Sequence, residues 1–205
     1  MYIPKSFRVS DTGTLHDLIT AHPFGILVGA LENAPYASHI PFFLDRDAGA
    51  QGTLIAHLAQ NNPQAELFDT AQEMLAIFQG PHGYVSPRWY APGNAVPTWN
   101  YAVVHAYGTP IPVTDRDRIR QQQDQLVTAY EGAEGWRMDS QPEAYLDGMM
   151  QGITAFEMPI NRLEGKFKLS QNRPVADRES VIAALSDSGL TWDRALAEMM
   201  RRYSF

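Results

Sequence analysis

Along much of the chain, apolar residues recur at one of two spacings. In Thr98 to Tyr107 the spacing is two: Trp99, Tyr101, Val103, His105 and Tyr107 fall on one face, and Asn100, Ala102, Val104 and Ala106 on the other. That alternation, with aromatic and β-branched residues, predicts a strand with one bulky, part-polar face and one small face. The bulky face could pack a barrel, hold a flat aromatic ligand, or meet a partner subunit. Shorter apolar runs predict strands at Gly25–Leu31, Tyr36–Leu44, Thr53–Leu58, Met74–Gln79 and Ile153–Ile160. Pro41 marks the second of these as an edge or a bulge, because proline cannot donate to a ladder. The segment ENAP between the first two reads as a turn.

Spacing near 3.6 appears elsewhere. Ser10 or Asp11 caps a short helix with Leu15, Leu18 and Ile19 inward and Pro23 as its stop. NNPQAELF reads as a helix capped by Asn62 with Pro63 in its first turn. Thr114 opens a long helix with Ile119, Leu126, Val127 and Tyr130 on its apolar face, and another follows Ser140 with Leu146, Met149 and Met150. Two short helices close the chain, capped by Asp177 and Thr191. Gly80 to Asn94, rich in proline and glycine, reads as a loop around a short extended piece, YVS. The strands are not separated regularly by helices, which disfavours a doubly wound parallel sheet. The expected class is mainly β with inserted helices, an antiparallel barrel or sandwich.

Composition narrows the function. The chain has 205 residues, 44% hydrophobic and only 19% charged, which suits one domain with a substantial core. A net charge of −7 disfavours broad phosphate-backbone binding. Without cysteine there is no disulfide, thiolate nucleophile or zinc–thiolate cluster. The N-terminus MYIPKSFRVSDTG has no apolar leader core, and no run approaches a membrane span, so a cytoplasmic protein is the expectation.

The six histidines form no HxH, HxxxH or HExxH pair. Nor is there a GxSxG elbow, a Walker loop or a GxGxxG fingerprint. His39 and His57 stand near strand ends, where a barrel presents side chains to a ligand; the other histidines read as ordinary hydrogen-bonded residues. The most concentrated polar stretch is GKFKLSQNRP. Lys166, Lys168 and Arg173 supply cations; Ser170, Gln171 and Asn172 supply donors and acceptors. Gln79, His82, Thr98 and Asn100 neighbour Phe78, Tyr84, Trp89, Tyr90 and Trp99 in sequence. Aromatic walls with polar groups at their edges suit a flavin, whose phosphate wants cations and hydroxyls. A polar loop beside an aromatic core strand is the plainer reading of the same residues.

The segments MYIPKSF, ASHIPF, HLAQNNP, IFQGPHGYVSPRWY, VPTWNYAVVHAYG and GKFKLSQNRP, in this order, resemble the PaiB-like FMN-binding negative transcriptional regulators. The resemblance implies an FMN-binding split β-barrel over residues 1–165, with a C-terminal loop and helical segment, 166–205, packed on it. It also implies a homodimer with flavin at the subunit interface. Carried over by residue, it places the flavin phosphate and ribityl near Ser38, His39 and His57, and the isoalloxazine against Val96, Pro97, Thr98, Trp99 and Asn100. Lys168, Ser170, Gln171 and Asn172 would close the site or enter it from the partner subunit, with Arg173 as a phosphate or partner contact. Histidines stand where split-barrel oxidases carry Arg and Lys, which implies weaker FMN binding. The family label implies repression. The last helix is too poor in cations for a recognition helix, so direct DNA contact by it is not expected. The alternatives are an FMN-dependent reductase or oxidase and a haem-binding split barrel.

Overall fold

A computed structural model describes residues 1–132 and 134–203. In chain order its elements are β1 (Arg8–Val9), α1 (Thr12–Ala21), β2 (Phe24–Leu31), β3 (Ala34–Pro41), β4 (Phe43–Asp45), β5 (Thr53–Ala59), β6 (Met74–Val85), β7 (Thr98–Gly108), β8 (Ile111–Pro112), α2 (Arg116–Glu131), α3 (Glu143–Met150), β9 (Ile153–Lys168), α4 (Val175–Ser186) and α5 (Thr191–Arg202). The strand order is β3-β2-β6-β7-β9-β5-β4, with β1 and β8 paired to β9.

Local chemistry explains the punctuation. Glu32 and Asn33, the two residues between β2 and β3, both have positive φ, as a two-residue hairpin turn of the right twist requires. Pro41 ends β3, an edge strand, and Phe42 alone separates it from β4 at the opposite end of the order. The backbone N–H of Phe42 is taken up by the Pro23 carbonyl at 2.9 Å. Asp11 Oδ2 accepts from the Thr14 amide at 2.7 Å, so the first helix begins as its sequence suggests. Asn62 likewise caps its segment, but Pro63–Thr70 winds as a 3₁₀ helix rather than an α-helix. The cap of α2 is Asp115, accepting from Arg118 N at 2.8 Å, one residue beyond Thr114. Asp177 and Thr191 are not caps: α4 starts after Pro174, and α5 after Leu190.

Two strands run past their expected ends. The sixth strand continues through Gly80-Pro81 to Val85. A Cβ on Gly80 would stand 3.1 Å from Leu18 Cδ1 and 3.5 Å from Ala102 Cβ, so this glycine serves close packing and does not break the strand. The ninth strand continues to Lys168, so Lys166 and Lys168 are strand residues.

The chain divides into two compact units. The first comprises Met1–Leu18, Gln79–Val104 and Glu164–Phe205; the second comprises Ile19–Phe78 and His105–Leu163. In the second unit, Phe42, Phe78, Phe68 and Phe156 form the aromatic centre of the core. Phe42 meets Phe78 edge-on at 5.3 Å, and Phe68 lies 4.6 Å from Phe156. In the first unit, Phe167, Leu169, Val181, Leu185, Leu196 and Met200 are buried. Along β7 the small face is the buried one: Asn100, Ala102, Val104 and Ala106 are fully enclosed, whereas Trp99 is 54% exposed.

Candidate functional site

In the first unit, the end of β9 and the turn into α4 meet the start of β7. Ser170 holds a positive φ of 65° and is buried, an unusual backbone state for a residue with a Cβ. Gln171 secures the turn at both ends. Its Oε1 accepts from Leu169 N at 2.7 Å, and its Nε2 donates to the Phe167 carbonyl. Arg173 N closes the turn on the Ser170 carbonyl at 2.9 Å. Asp177, in the first turn of α4, accepts from Ala91 N at 2.9 Å and so fixes the Tyr90 loop against the helix.

Around this turn the polar groups converge. Asn100 Nδ2 donates to Ser170 Oγ at 2.9 Å, while Asn100 Oδ1 is buried with no partner. Lys168 Nζ donates to Thr98 Oγ1 at 2.6 Å and to the Trp99 carbonyl. The Arg173 guanidinium stacks 4.3 Å from the centre of the Tyr90 ring. Burial, and then repulsion from Lys166 and Arg173, push the Lys168 ammonium below its ordinary value. A cavity of about 130 Å³ is lined by Tyr90, Val96, Thr98, Asn100, Lys168, Ser170, Asn172 and Arg173. No carboxylate is among these residues, and two cations are. Such a donor set attracts an anionic or carbonyl-rich group. The volume is below the usual range for a whole drug-sized ligand, so the pocket suits one end of a larger molecule.

The outer side of β7 continues this site with aromatic surface. Trp99 lies 6.2 Å from Tyr84 and 6.4 Å from His82, and His82 lies 5.2 Å from Trp192. Tyr84, Trp99 and Trp192 are each about half exposed.

Of the residues singled out by sequence, Val96, Thr98, Asn100, Lys168, Ser170, Asn172 and Arg173 line one cavity. Gln171 builds the turn beneath it, and Pro97 and Trp99 are exposed beside it. Ser38, His39 and His57 belong to the second unit. Ser38 is buried and accepts from Asn62 Nδ2 at 2.9 Å. His39 is exposed. His57 lines a larger cavity of about 520 Å³ without a lysine or arginine in its wall. Sequence reasoning had no signal for that cavity, whose wall comes mostly from α2 and α3. Among the described residues no cluster of histidine and carboxylate side chains could hold a metal ion, and no helix is long and apolar enough to cross a membrane.

The antiparallel strand order with its inserted and C-terminal helices is that of a split-barrel fold. The flavocytochrome Anf3 from Azotobacter vinelandii superposes with a TM-score of 0.65 at 12% identity, over 81% of this chain and 72% of that one. The FAD and heme binding protein from Mycobacterium smegmatis gives 0.58 at 16% identity, over 78% and 73%. In sequence, residues 1–162 match the family described as "Putative FMN-binding domain", and the chain belongs to that family. Protease synthase and sporulation protein PAI 2 of Bacillus subtilis is 31% identical over 204 residues, covering 98% of this chain and 96% of that protein. FMN is the cofactor this membership supports. The donor set fits it: Lys168, Arg173, Ser170 and Asn172 are available to phosphate or ring carbonyl oxygens, and Asn100 Oδ1 is a buried acceptor in want of a donor.

Proposed function

We propose that this chain is an FMN-binding regulatory protein of the PAI 2 type, with its flavin held between two copies of the chain. The observation that carries the reading is the convergence of Lys168, Arg173, Ser170 and Asn100 on one carboxylate-free pocket. Lys168 and Arg173 hold the anionic end of the cofactor, and Asn100 and Ser170 set the polar floor beneath it. Trp99 supplies an apolar wall. FMN brings two-electron redox chemistry when bound; the protein's own part is to bind, orient and shield it. The small pocket and the half-exposed rings beside it favour completion of the site by a second copy.

The regulatory role rests on the motif resemblance to the PaiB-like negative regulators; the relative PAI 2 is itself named a protease synthase and sporulation protein. Action on DNA through α5 is not part of the proposal, because its cations are engaged within the chain. Arg194 donates to the Ser188 carbonyl, Arg201 to Ser186 Oγ, and Arg202 pairs with Asp17 at 3.3 Å.

The test is a titration of the purified protein with FMN and with riboflavin, followed by flavin fluorescence. Lys168→Ala and Arg173→Ala should each weaken FMN at least tenfold and riboflavin far less. Equal losses for both ligands refute phosphate recognition here. A selective FMN loss in His57→Ala instead would move the phosphate to the second unit. Steady-state NADH and NADPH oxidation by the flavin-loaded protein tests the oxidoreductase alternative.

A further inference from the structure

The second unit contains the largest cavity described above, about 520 Å³, within the range of small-molecule sites. His57 on β5 and Ile153 on β9 belong to its strand side. Gln123 comes from α2, and Tyr145, Leu146 and Met149 from α3. Trp136 adds a second aromatic ring. The wall has no Lys, Arg, Asp or Glu. An anion such as a phosphate would enter it without a counter-charge, at a large desolvation cost.

His57 is the one titratable ring at the strand side. Burial pushes its imidazole below the ordinary value, which keeps it neutral at pH 7. Its Nδ1 is enclosed and has no partner. The ring therefore has only Nε2 to offer an incoming group. Gln123 Nε2 is likewise buried without a partner, which leaves that side chain its carbonyl oxygen. These are sparse polar points in an otherwise methionine- and aromatic-rich wall, the composition of an adaptable apolar site.

We propose that this cavity binds an uncharged, flat, largely apolar molecule of bicyclic or tricyclic size whose single polar group bonds to His57 Nε2. Charge decides between occupants: a neutral fused-ring compound matches an uncharged wall, and an anion does not. The cavity's lining shares no residue with the Lys168–Arg173 pocket, and a selective loss of FMN in His57→Ala would overturn the proposal by placing a phosphate here.

The probe is N-phenyl-1-naphthylamine, an uncharged fused-ring amine that brightens in apolar surroundings. Its sulfonated relative 1-anilinonaphthalene-8-sulfonate serves as the charged control. The unmodified chain should bind the neutral dye saturably and the sulfonate at least tenfold more weakly. Met149 is 58% exposed, so Met149→Asp can place a charge at the rim without breaking the core. It should weaken the neutral dye at least tenfold while its melting temperature stays unchanged. His57→Leu should weaken it about fivefold, the value of one hydrogen bond. Absence of saturable binding, equal binding of the two dyes, or binding indifferent to Met149→Asp would each overturn the proposal. So would dye binding seen only on dilution to monomer, since a second copy of the chain would then be the occupant.

Discussion

Ser170 combines a strained backbone with a useful hydroxyl, and the two can be separated by substitution. Its positive φ costs any residue with a Cβ about 1 kcal/mol relative to glycine. Its Oγ accepts the Asn100 hydrogen bond, worth about 1 kcal/mol. Ser170→Ala loses the bond and keeps the strain, whereas Ser170→Gly loses the bond and relieves it. In urea melts Ser170→Gly should therefore be about 1 kcal/mol more stable than Ser170→Ala; equal stabilities would refute the strain. Lys168 carries a pH prediction. Its folded pKa is lowered from an ordinary 10.5, so the unfolded chain binds this proton more tightly. The resulting stability penalty is complete below the lowered value and is relieved as pH climbs from there toward 10.5. Under the proposed phosphate role, FMN affinity should fall over that window, as the ammonium empties. Lys168→Arg keeps its charge and should flatten the fall; an identical pH profile in both proteins would remove Lys168 from the phosphate site.

At the scale of elements, close approach makes the second unit's core sensitive to single atoms. A Cβ on Gly25 of β2 would lie 2.9 Å from Phe78 Cε1 and 3.1 Å from both Phe42 Cε2 and the Ile77 carbonyl. Gly25→Ala must push two packed rings aside, at about 1–3 kcal/mol in a chemical melt. An unchanged midpoint would show that the rings have room to move. This contact is invisible in the sequence, where Gly25 only opens an apolar run. The alternation of β7 was legible because burial follows the pleat: every residue from Asn100 to Ala106 on the small face is enclosed. The full lengths of β6 and β9 were not. Glycine, proline and lysine are the usual signs of a strand's end, yet here long-range pairing and packing outweigh them. The candidate site was legible where its residues are neighbours in sequence, as in Lys168 to Arg173. Tyr90 needed the fold, because its place at the cavity depends on the stacking of Arg173 and the anchoring of Ala91 by Asp177. The His57 cavity needed it more, since α2 and α3 build most of the wall.

For the whole molecule, charge and apolar surface make opposite demands on salt. Each chain carries a net charge of −7, so two copies repel at low ionic strength. Trp99, Tyr84 and Trp192 nevertheless expose aromatic surface beside the cationic pocket, an arrangement that burial against a second copy would satisfy. If that surface is the proposed dimer contact, added salt should strengthen dimerisation by screening the repulsion. The same salt should weaken FMN, whose phosphate is attracted to Lys168 and Arg173 by a force that salt also screens. Sedimentation equilibrium and FMN titration across 20–500 mM salt, roughly 22 to 4 Å in Debye length, would separate these two trends. Trp99→Asp places a charge within the patch, and should shift the protein toward monomer and weaken FMN together. Raising the protein concentration should then restore the dimer and the share of FMN affinity that depends on assembly, while the loss of the Trp99 wall itself remains. A monomeric Trp99→Asp with undiminished FMN affinity would put the whole flavin site within one chain.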